Sequence, residues 1–338
     1  MTPELVYTRD EAEWLAARRA GVTASEIAVI MGLSPYGSPY RLYHQKLGIL
    51  PADDDNAAME RGRVLEPYIA EKWQQAHPDL YAGGTGRELF AHPERPWQMA
   101  TPDRMIYDWR LNPDLVHPVA HGPVLSVLEC KVDGGSDEWG DEGSDEIPVH
   151  YRCQVLWQCR VMGVRRWHAA CLRIRDWRVL TYTGEIDEAA EADLTLMEGE
   201  AIAFRERLEA GDPPDVDWRP ATTAALKTLH PLPGEADVTV GRQLAISYRA
   251  ACRRYEQAKR RKDEMTNRLL QAIGDGRRAV EACTELPVAT RSVSYPKRVS
   301  TPLLRQKYPA IAAECTPEPK PEVKLTPAKI KEKIPSDS

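Results

Sequence analysis

The 338-residue sequence predicts an α/β protein: a sheet of about five strands with helices before, within and after it, continued by a C-terminal helical and β-hairpin extension. Three observations predict it. Short apolar runs of strand length recur between residues 87 and 182, and stretches of helical spacing surround and interrupt them. Side-chain caps and terminal glycines bound the helical stretches. A Pro-rich stretch after residue 212 separates an acidic part of the chain from a basic one.

The elements follow in chain order. "DEAEWLAARRA" (10–20) reads as a helix. A second begins in "TASEIAVIMG", where Thr23 is a plausible N-cap, Glu26 stands three residues on at the capping-box spacing, and Gly32 ends it. Residues 38–48 form a third short helix and 58–77 a longer fourth. Strands are expected at 87–91, at 97–100 leading into "TPDRMIY", and at 124–132, 167–174 and 177–182. Between the third and fourth, Val149, Cys153, Leu156 and Arg160 recur at helical spacing, as do Tyr151, Val155 and Met162, so 147–163 reads as a mostly buried helix. A last helix at 187–210 runs into the prolines of "EAGDPPDVDW". Residues 213–237, with five prolines at 213, 214, 220, 231 and 233, read as a linker. Beyond it, Leu244, Tyr248, Ala251, Tyr255, Ala258, Met265 and Leu269 follow spacings of three and four, the seam of a coiled-coil-like helix. Residues 278–296 suggest a hairpin and 301–314 a short helix, which completes an extension over 238–315. The Pro/Lys-rich end, 316–338, is expected to be disordered.

Composition excludes several classes. No apolar run reaches transmembrane length and no signal peptide opens the chain, so a soluble intracellular protein without membrane contact is expected. The seven cysteines form no C-x-x-C and the eight histidines no H-E-x-x-H, which leaves a zinc ribbon, an iron–sulfur cluster or a zincin without support. The net charge of −6 hides an asymmetry: residues 1–220 hold 23 Lys and Arg against 38 Asp and Glu, and residues 221–338 hold 22 against 13. The second part is the better electrostatic match to nucleic acid or an acidic partner. Acidic clusters at 53–55 and 133–146 read as solvated loops.

"VLSVLECKVDGG" (124–135) places a glutamate and a lysine inside an apolar strand. Residues two apart share a strand face, so Leu125, Val127, Glu129 and Lys131 line one side and Leu128, Cys130 and Val132 the other. Buried charge needs a partner, which either an ion pair or a metal supplies. Two further E-x-K triplets, at 318–320 and 322–324, lie in the Pro/Lys-rich tail and lack strand context. Around the first one the order matters. Asp103 follows a strand and a Thr-Pro step, Gln154 sits on the next helix, and Glu66 lies on an upstream helix behind Gly62. A two-metal nuclease needs carboxylates to hold Mg²⁺ against the scissile phosphate and a group to orient water, and this order provides both.

At this point the chain resembles the YqaJ-type viral recombinase family, relatives of bacteriophage lambda exonuclease within the PD-(D/E)XK nuclease superfamily. The resemblance rests on six ordered segments: "WLAARRAGVTASEIA", "RGRVLEP", "TPDR", "LECKV", "IPVHYRCQVLWQCRVMG" and "FRERLEAGDPPDVD". "VSTPLLRQKYPAIAAEC" further resembles an extension found in many relatives. Two positions depart from the family pattern. Arg104 stands where the family often has Gly, and Leu156 where it often has Gln, with Gln158 one turn further on.

The resemblance implies a PD-(D/E)XK core with a central mixed sheet over residues 1–212, and a metal-dependent deoxyribonuclease. Asp103 and Glu129, with the Cys130 backbone carbonyl, would bind two Mg²⁺ ions, or Mn²⁺ in their place, and Glu66 would complete the coordination of the second metal. Lys131 would orient or activate water, with a pKa lowered by the metals. Gln154 would position water or phosphate. Arg18, Ser25 and Thr101 match positions that hold a 5′-phosphate. The implied activity is a phage or prophage double-strand DNA exonuclease that resects 5′ to 3′ and leaves a 3′ overhang for recombination by single-strand annealing. Implied partners are double-stranded DNA ends, further copies of the chain in a trimeric ring and a single-strand annealing protein, in the cytoplasm of a bacterial host. Trp139, Tyr151 and Trp157 read as packing residues. The rival readings are another PD-(D/E)XK endonuclease or repair nuclease, and a non-catalytic DNA-binding recombination scaffold. Intact Asp103, Glu129 and Lys131 argue against the scaffold.

Overall fold

The computed structural model describes residues 2–6, 10–52, 55–108, 123–232, 234, 237–295 and 300–316. The chain divides into two compact units at Leu229 and His230. The tail read as disordered lies, from 317 on, outside the described residues.

The first unit begins β1 (Glu4–Val6), α1 (Glu11–Ala20), β2 (Val22–Thr23), α2 (Ala24–Ile30), α3 (Pro39–Lys46) and α4 (Ala57–Ala76). It continues β3 (Leu80–Gly83), β4 (Leu89–His92), β5 (Arg95–Ala100), β6 (Arg104–Asp108) and β7 (Ser126–Asp133). It closes with α5 (Val149–Met162), β8 (Arg166–Arg173), β9 (Arg178–Glu185), α6 (Glu188–Ala210) and α7 (Pro220–Leu229). Local chemistry accounts for the helix ends. Asp10, Ser38, Asn56 and Asp187 cap α1, α3, α4 and α6 through side-chain oxygens. Thr23 and Glu26 form the capping box of α2. Gly163, at φ 68°, closes α5 in the left-handed region that favours glycine.

Five strands form a mixed sheet in the order β3-β6-β7-β8-β9. β7 and β8 run parallel and the other neighbours antiparallel. A parallel pair needs a crossover, and α5 supplies it. Both faces of the sheet are covered. Val127, Trp167, Ala169, Cys171 and Tyr182 pack with α2, α5 and α6 on one face. Ile106, Leu128, Cys130, Ala170 and Leu172 pack with Ile69, Ala70 and Trp73 of α4 on the other. The split of Val127 and Leu128 between these clusters is the strand alternation read from the sequence.

The expected strand count holds for this sheet, but its membership differs. Residues 87–91 and 97–100 were expected in it. They fall instead in β4 and β5 of a separate four-stranded sheet, β1-β4-β5-β2, in which β2 pairs parallel with β5. Their places in the main sheet are taken by β3, a short strand with one buried residue, and β6. Periodicity reports that a segment is extended, whereas pairing depends on partners distant in sequence. The stretch 213–237 read as a linker also holds structure. α7 packs into the first unit through Thr222 and Ala225, and Arg219 just before it donates to the Gly32 carbonyl. Pro220 opens this helix, and proline at a first helical position starts a helix without loss of a needed N–H.

The second unit contains α8 (Arg242–Ile273), the antiparallel hairpin of β10 (Arg278–Val280) and β11 (Pro287–Thr290), α9 (Thr301–Lys307) and α10 (Pro309–Glu314). The helix expected at 301–314 is split at Tyr308, because Pro309 starts a new first turn. Among the described residues no helix is long and apolar enough to cross a membrane.

Candidate active site

The site is built where β6 enters the sheet beside β7. Arg104 pairs with Leu128, so one step back in register Asp103 lies opposite Glu129. The Cys130 N–H donates to Asp103 Oδ2 at 2.7 Å. A strand residue presents its N–H and C=O to the same neighbour, so the Cys130 carbonyl faces this side as well. Glu129 is 2 % exposed and accepts from three side chains. Lys131 Nζ stands 2.5 Å and Gln154 Nε2 2.6 Å from Oε1, and Gln158 Nε2 stands 2.7 Å from Oε2. Gln154 and Gln158 are one turn apart on α5 and therefore share a face.

Charge at the site is finely opposed. Burial, and then the nearby Glu129, push the Asp103 carboxyl well above the usual aspartate range, while Lys131 pulls it back. For Lys131 burial favours the neutral amine, but Glu129 and Asp103 outweigh it and hold the ammonium above its ordinary range. The lowered pKa expected for Lys131 presupposes two bound metals, whereas this balance is that of the protein's own groups. Lowering requires cations to offset the two carboxylates, and the protein's own groups act in the opposite direction. Lys131 Nζ also lies 4.8 Å over the Tyr151 ring, whose hydroxyl burial pushes up to about 12. Tyr151 therefore stays protonated and braces the lysine. Trp139 packs against the same ring at 5.7 Å, and Trp157 is fully buried, so these aromatic residues pack as read.

The donor chemistry fits Mg²⁺ or Mn²⁺. Two carboxylates and a main-chain carbonyl are hard oxygen ligands, the class these ions select. A buried aspartate whose proton affinity the neighbouring Glu129 raises is also what a divalent cation would relieve. Among the described residues no three His, Cys, Asp or Glu side chains meet at one cation position. Glu66 is close enough to raise the Asp103 pKa further, but its Oε1 accepts from Arg104 Nη1 at 2.7 Å. The arginine that departs from the family pattern also donates to the Asp103 carbonyl, and so ties α4 to the start of β6.

A second cluster forms at the parallel β2–β5 pair. Thr23 pairs with Met99, so Ser25 and Thr101 both lie two residues further on, at one end of that sheet. Arg18 Nη2 donates to Ser25 Oγ at 3.1 Å and to Thr23 Oγ1 at 3.4 Å, and its guanidinium stacks over Trp14 at 4.5 Å. The buried Thr101 Oγ1 has no hydrogen-bond partner. Arg18 is half-buried and Arg19 exposed, so Arg18 is the one turned to the hydroxyls. Lys46 holds this corner together. Its Nζ contacts Glu26 Oε2 at 2.8 Å and donates to the carbonyls of Arg18 and Gly21 at 2.8 and 2.6 Å, where α1 ends. With Glu26 engaged by Lys46, Arg18 remains directed at hydroxyls. Gly21 is required here, since a Cβ would meet the Trp97 carbonyl oxygen at 2.6 Å.

The structure thus brings together Asp103, Glu129, Lys131 and Gln154, and separately Arg18 with Ser25, while Glu66 is turned to Arg104. Sequence reasoning left out Gln158 and Lys46 as site residues. The i, i+4 spacing of Gln154 and Gln158 could have found the first. Nothing local announces the second, whose partners lie 20 or more residues away.

Residues 13–165 match the family model described as the YqaJ-like viral recombinase domain. That span contains every candidate site residue named above. The protein YqaJ of Bacillus subtilis (strain 168), itself uncharacterized, is 29 % identical over 157 residues, which is 45 % of this chain and 42 % of that protein. The chain thus spans under half the length of this curated relative. A crystal structure of an alkaline exonuclease, LHK-Exo, from Laribacter hongkongensis is similar at 23 % identity and a TM-score of 0.42, over 60 % of this chain and 94 % of that one. The structure of LHK-Exo in complex with dAMP is similar at 24 % identity and a TM-score of 0.43, with the same coverage.

Proposed function

The chain carries a YqaJ-like viral recombinase domain over residues 13–165, and from that premise we propose that it is a phage or prophage metal-dependent double-strand DNA exonuclease. It degrades the 5′-ended strand and leaves a 3′ overhang for single-strand annealing. The observation that carries this reading is Asp103 in register opposite Glu129, with Lys131 on the same strand face and in contact with that glutamate. Asp103, Glu129 and the Cys130 carbonyl would hold Mg²⁺, and Glu66 would join a second ion on release from Arg104. The metal, when bound, supplies positive charge to the phosphodiester and acidifies a bound water.

The chain's own residues do the rest. Gln154 and Gln158 fix both oxygens of Glu129, so its carboxylate keeps one orientation. Lys131, in contact with Glu129, would orient or activate the attacking water or steady the phosphate oxygens. Arg18, Ser25 and the unpartnered Thr101 hydroxyl offer charge and donors to a terminal 5′-phosphate, which would set the scissile bond one nucleotide further in. Assembly as a trimeric ring around duplex belongs to the same reading, as does hand-over to an annealing protein.

The test is digestion of linear duplex and supercoiled plasmid by wild type and Lys131→Ala. Wild type should shorten only the linear duplex, from its 5′ ends, in Mg²⁺ or Mn²⁺ but not in Ca²⁺, which fills larger and looser oxygen shells. Lys131→Ala should bind duplex and fail to cut it. Cleavage of supercoiled plasmid would establish an endonuclease instead, and cleavage in EDTA would remove the metal from the mechanism.

A further inference from the structure

Helix α8 is amphipathic along its whole length and buries none of its residues. Its apolar positions follow a heptad repeat. Leu244, Ala251, Ala258, Met265 and Ala272 occupy one set of seam positions, and Tyr248, Tyr255, Lys262 and Leu269 the other. The seam spans about 42 Å at the α-helical rise. It faces solvent, with Leu244 64 %, Tyr255 67 % and Met265 39 % exposed. A strict seven-residue repeat fits another helix, because only a supercoiled pair keeps such a stripe in continuous contact. Three alanines on one side of the seam let the partner's backbone come close.

The flanks decide which helix. α8 holds nine Lys and Arg against three Asp and Glu. Arg254, Arg261 and Arg268 form a column at seven-residue intervals beside the seam, and Lys262 stands within it. Flanking charges of this kind set partner choice and orientation. A second copy of α8 fits poorly either way round. In parallel register Lys262 meets its own counterpart and Arg254 meets Lys259, and in antiparallel register the arginine columns face each other. A polyanion such as DNA satisfies the arginines but leaves the aromatic and aliphatic stripe in water. An acidic amphipathic helix satisfies both.

We propose that α8 is a docking helix for a protein partner that presents an acidic amphipathic helix, apolar on the heptad seam and rich in Asp and Glu beside it. The proposal does not depend on the nuclease reading, because no α8 residue belongs to that site.

The test uses the full chain and two synthetic fluorescent peptides of about four heptads. Both carry the same Leu/Ala seam, one with Glu and the other with Lys at the flanking positions. By fluorescence anisotropy the Glu peptide should bind at least tenfold more tightly, and the gap should shrink in 1 M salt, where the screening length is about 3 Å. The triple variant Arg254→Glu, Arg261→Glu, Lys262→Glu should reverse the preference, and Tyr255→Asp should weaken the Glu peptide at least tenfold. These positions are exposed, and circular dichroism checks that helix content is retained. Equal binding of the two peptides by wild type overturns the proposal without any variant. It is overturned equally by self-association of the wild type that Tyr255→Asp abolishes, which would make a second copy the occupant. Random-sequence duplex that loses as much affinity to Tyr255→Asp as the peptide does would assign the face to nucleic acid.

Discussion

Replacing Arg18 by alanine tests the anion corner where its geometry is sharpest. The Arg18 guanidinium reaches Ser25 Oγ at 3.1 Å and is backed by the Trp14 ring at 4.5 Å, with the unpartnered Thr101 hydroxyl at the same end of the sheet. Burial pulls its pKa below the ordinary arginine value while Glu26 pushes it back, and it stays charged. A terminal phosphate there would accept a charge-assisted hydrogen bond worth roughly 1.5–3 kcal/mol. That corresponds to about ten- to a hundredfold in rate. Wild type should therefore degrade a 5′-phosphorylated duplex faster than a 5′-hydroxyl duplex by about that factor. Arg18→Ala should erase the difference by slowing the phosphorylated substrate alone. The assay is single-turnover digestion of two duplexes that differ only at the 5′ end and carry the same internal fluorophore. Arg19→Ala is the control, since that side chain is exposed and points about 100° away on the helix. Equal slowing of both substrates by Arg18→Ala would mean a general loss of DNA binding and refute the assignment. So would loss of the preference in Arg19→Ala with its retention in Arg18→Ala.

Three further outcomes follow from the geometry. Gln158→Leu removes the 2.7 Å bond to Glu129 Oε2 and should lower the single-turnover rate at saturating DNA by about ten- to a hundredfold; a rate within threefold of wild type would deny Gln158 a positioning role. Lys46→Met strips Glu26 and two helix-end carbonyls of a donor that is itself 4 % exposed, and should lower unfolding stability by about 3–5 kcal/mol in a urea titration; an unchanged midpoint would contradict this. Burial, and then His77, lower the His168 pKa to about 4. A depressed folded-state pKa means the unfolded chain takes the proton first, so stability present above pH 6.5 is lost as pH falls toward 4, by about 2–3 kcal/mol at pH 4.5. The stability difference between wild type and His168→Phe should change by that amount between pH 7 and 4.5, and a constant difference would rule His168 out as the acid-labile group.

Much of the site was legible in the chain because its logic is local. Alternation along β7 put Glu129 and Lys131 on one face, and a two-residue period needs no tertiary information. The Thr23–Glu26 capping box placed the start of α2, and helical spacing placed Gln154 on α5, because both depend on residues within one turn. Five strands were likewise countable from their runs, but which five share a sheet was not. β4 and β5 pair with β1 and β2, and β3 joins β6, through contacts that bridge up to about 85 residues. α7 hid in a Pro-rich stretch, where Pro220 marks a helix start only once Thr222 and Ala225 have a surface to bury against. Tertiary structure alone decided that Arg104 engages Glu66, that Lys46 and not Arg18 neutralises Glu26, and that Gln158 completes the hold on Glu129. It also set how the protein's own groups shift Lys131, because the sign of that shift depends on the balance between burial and the two carboxylates brought within reach, Asp103 among them from the residue before β6. Periodicity and capping act within a turn or two of the chain, whereas ion pairs, strand partners and proton affinities are set by whichever groups folding brings within a few ångströms.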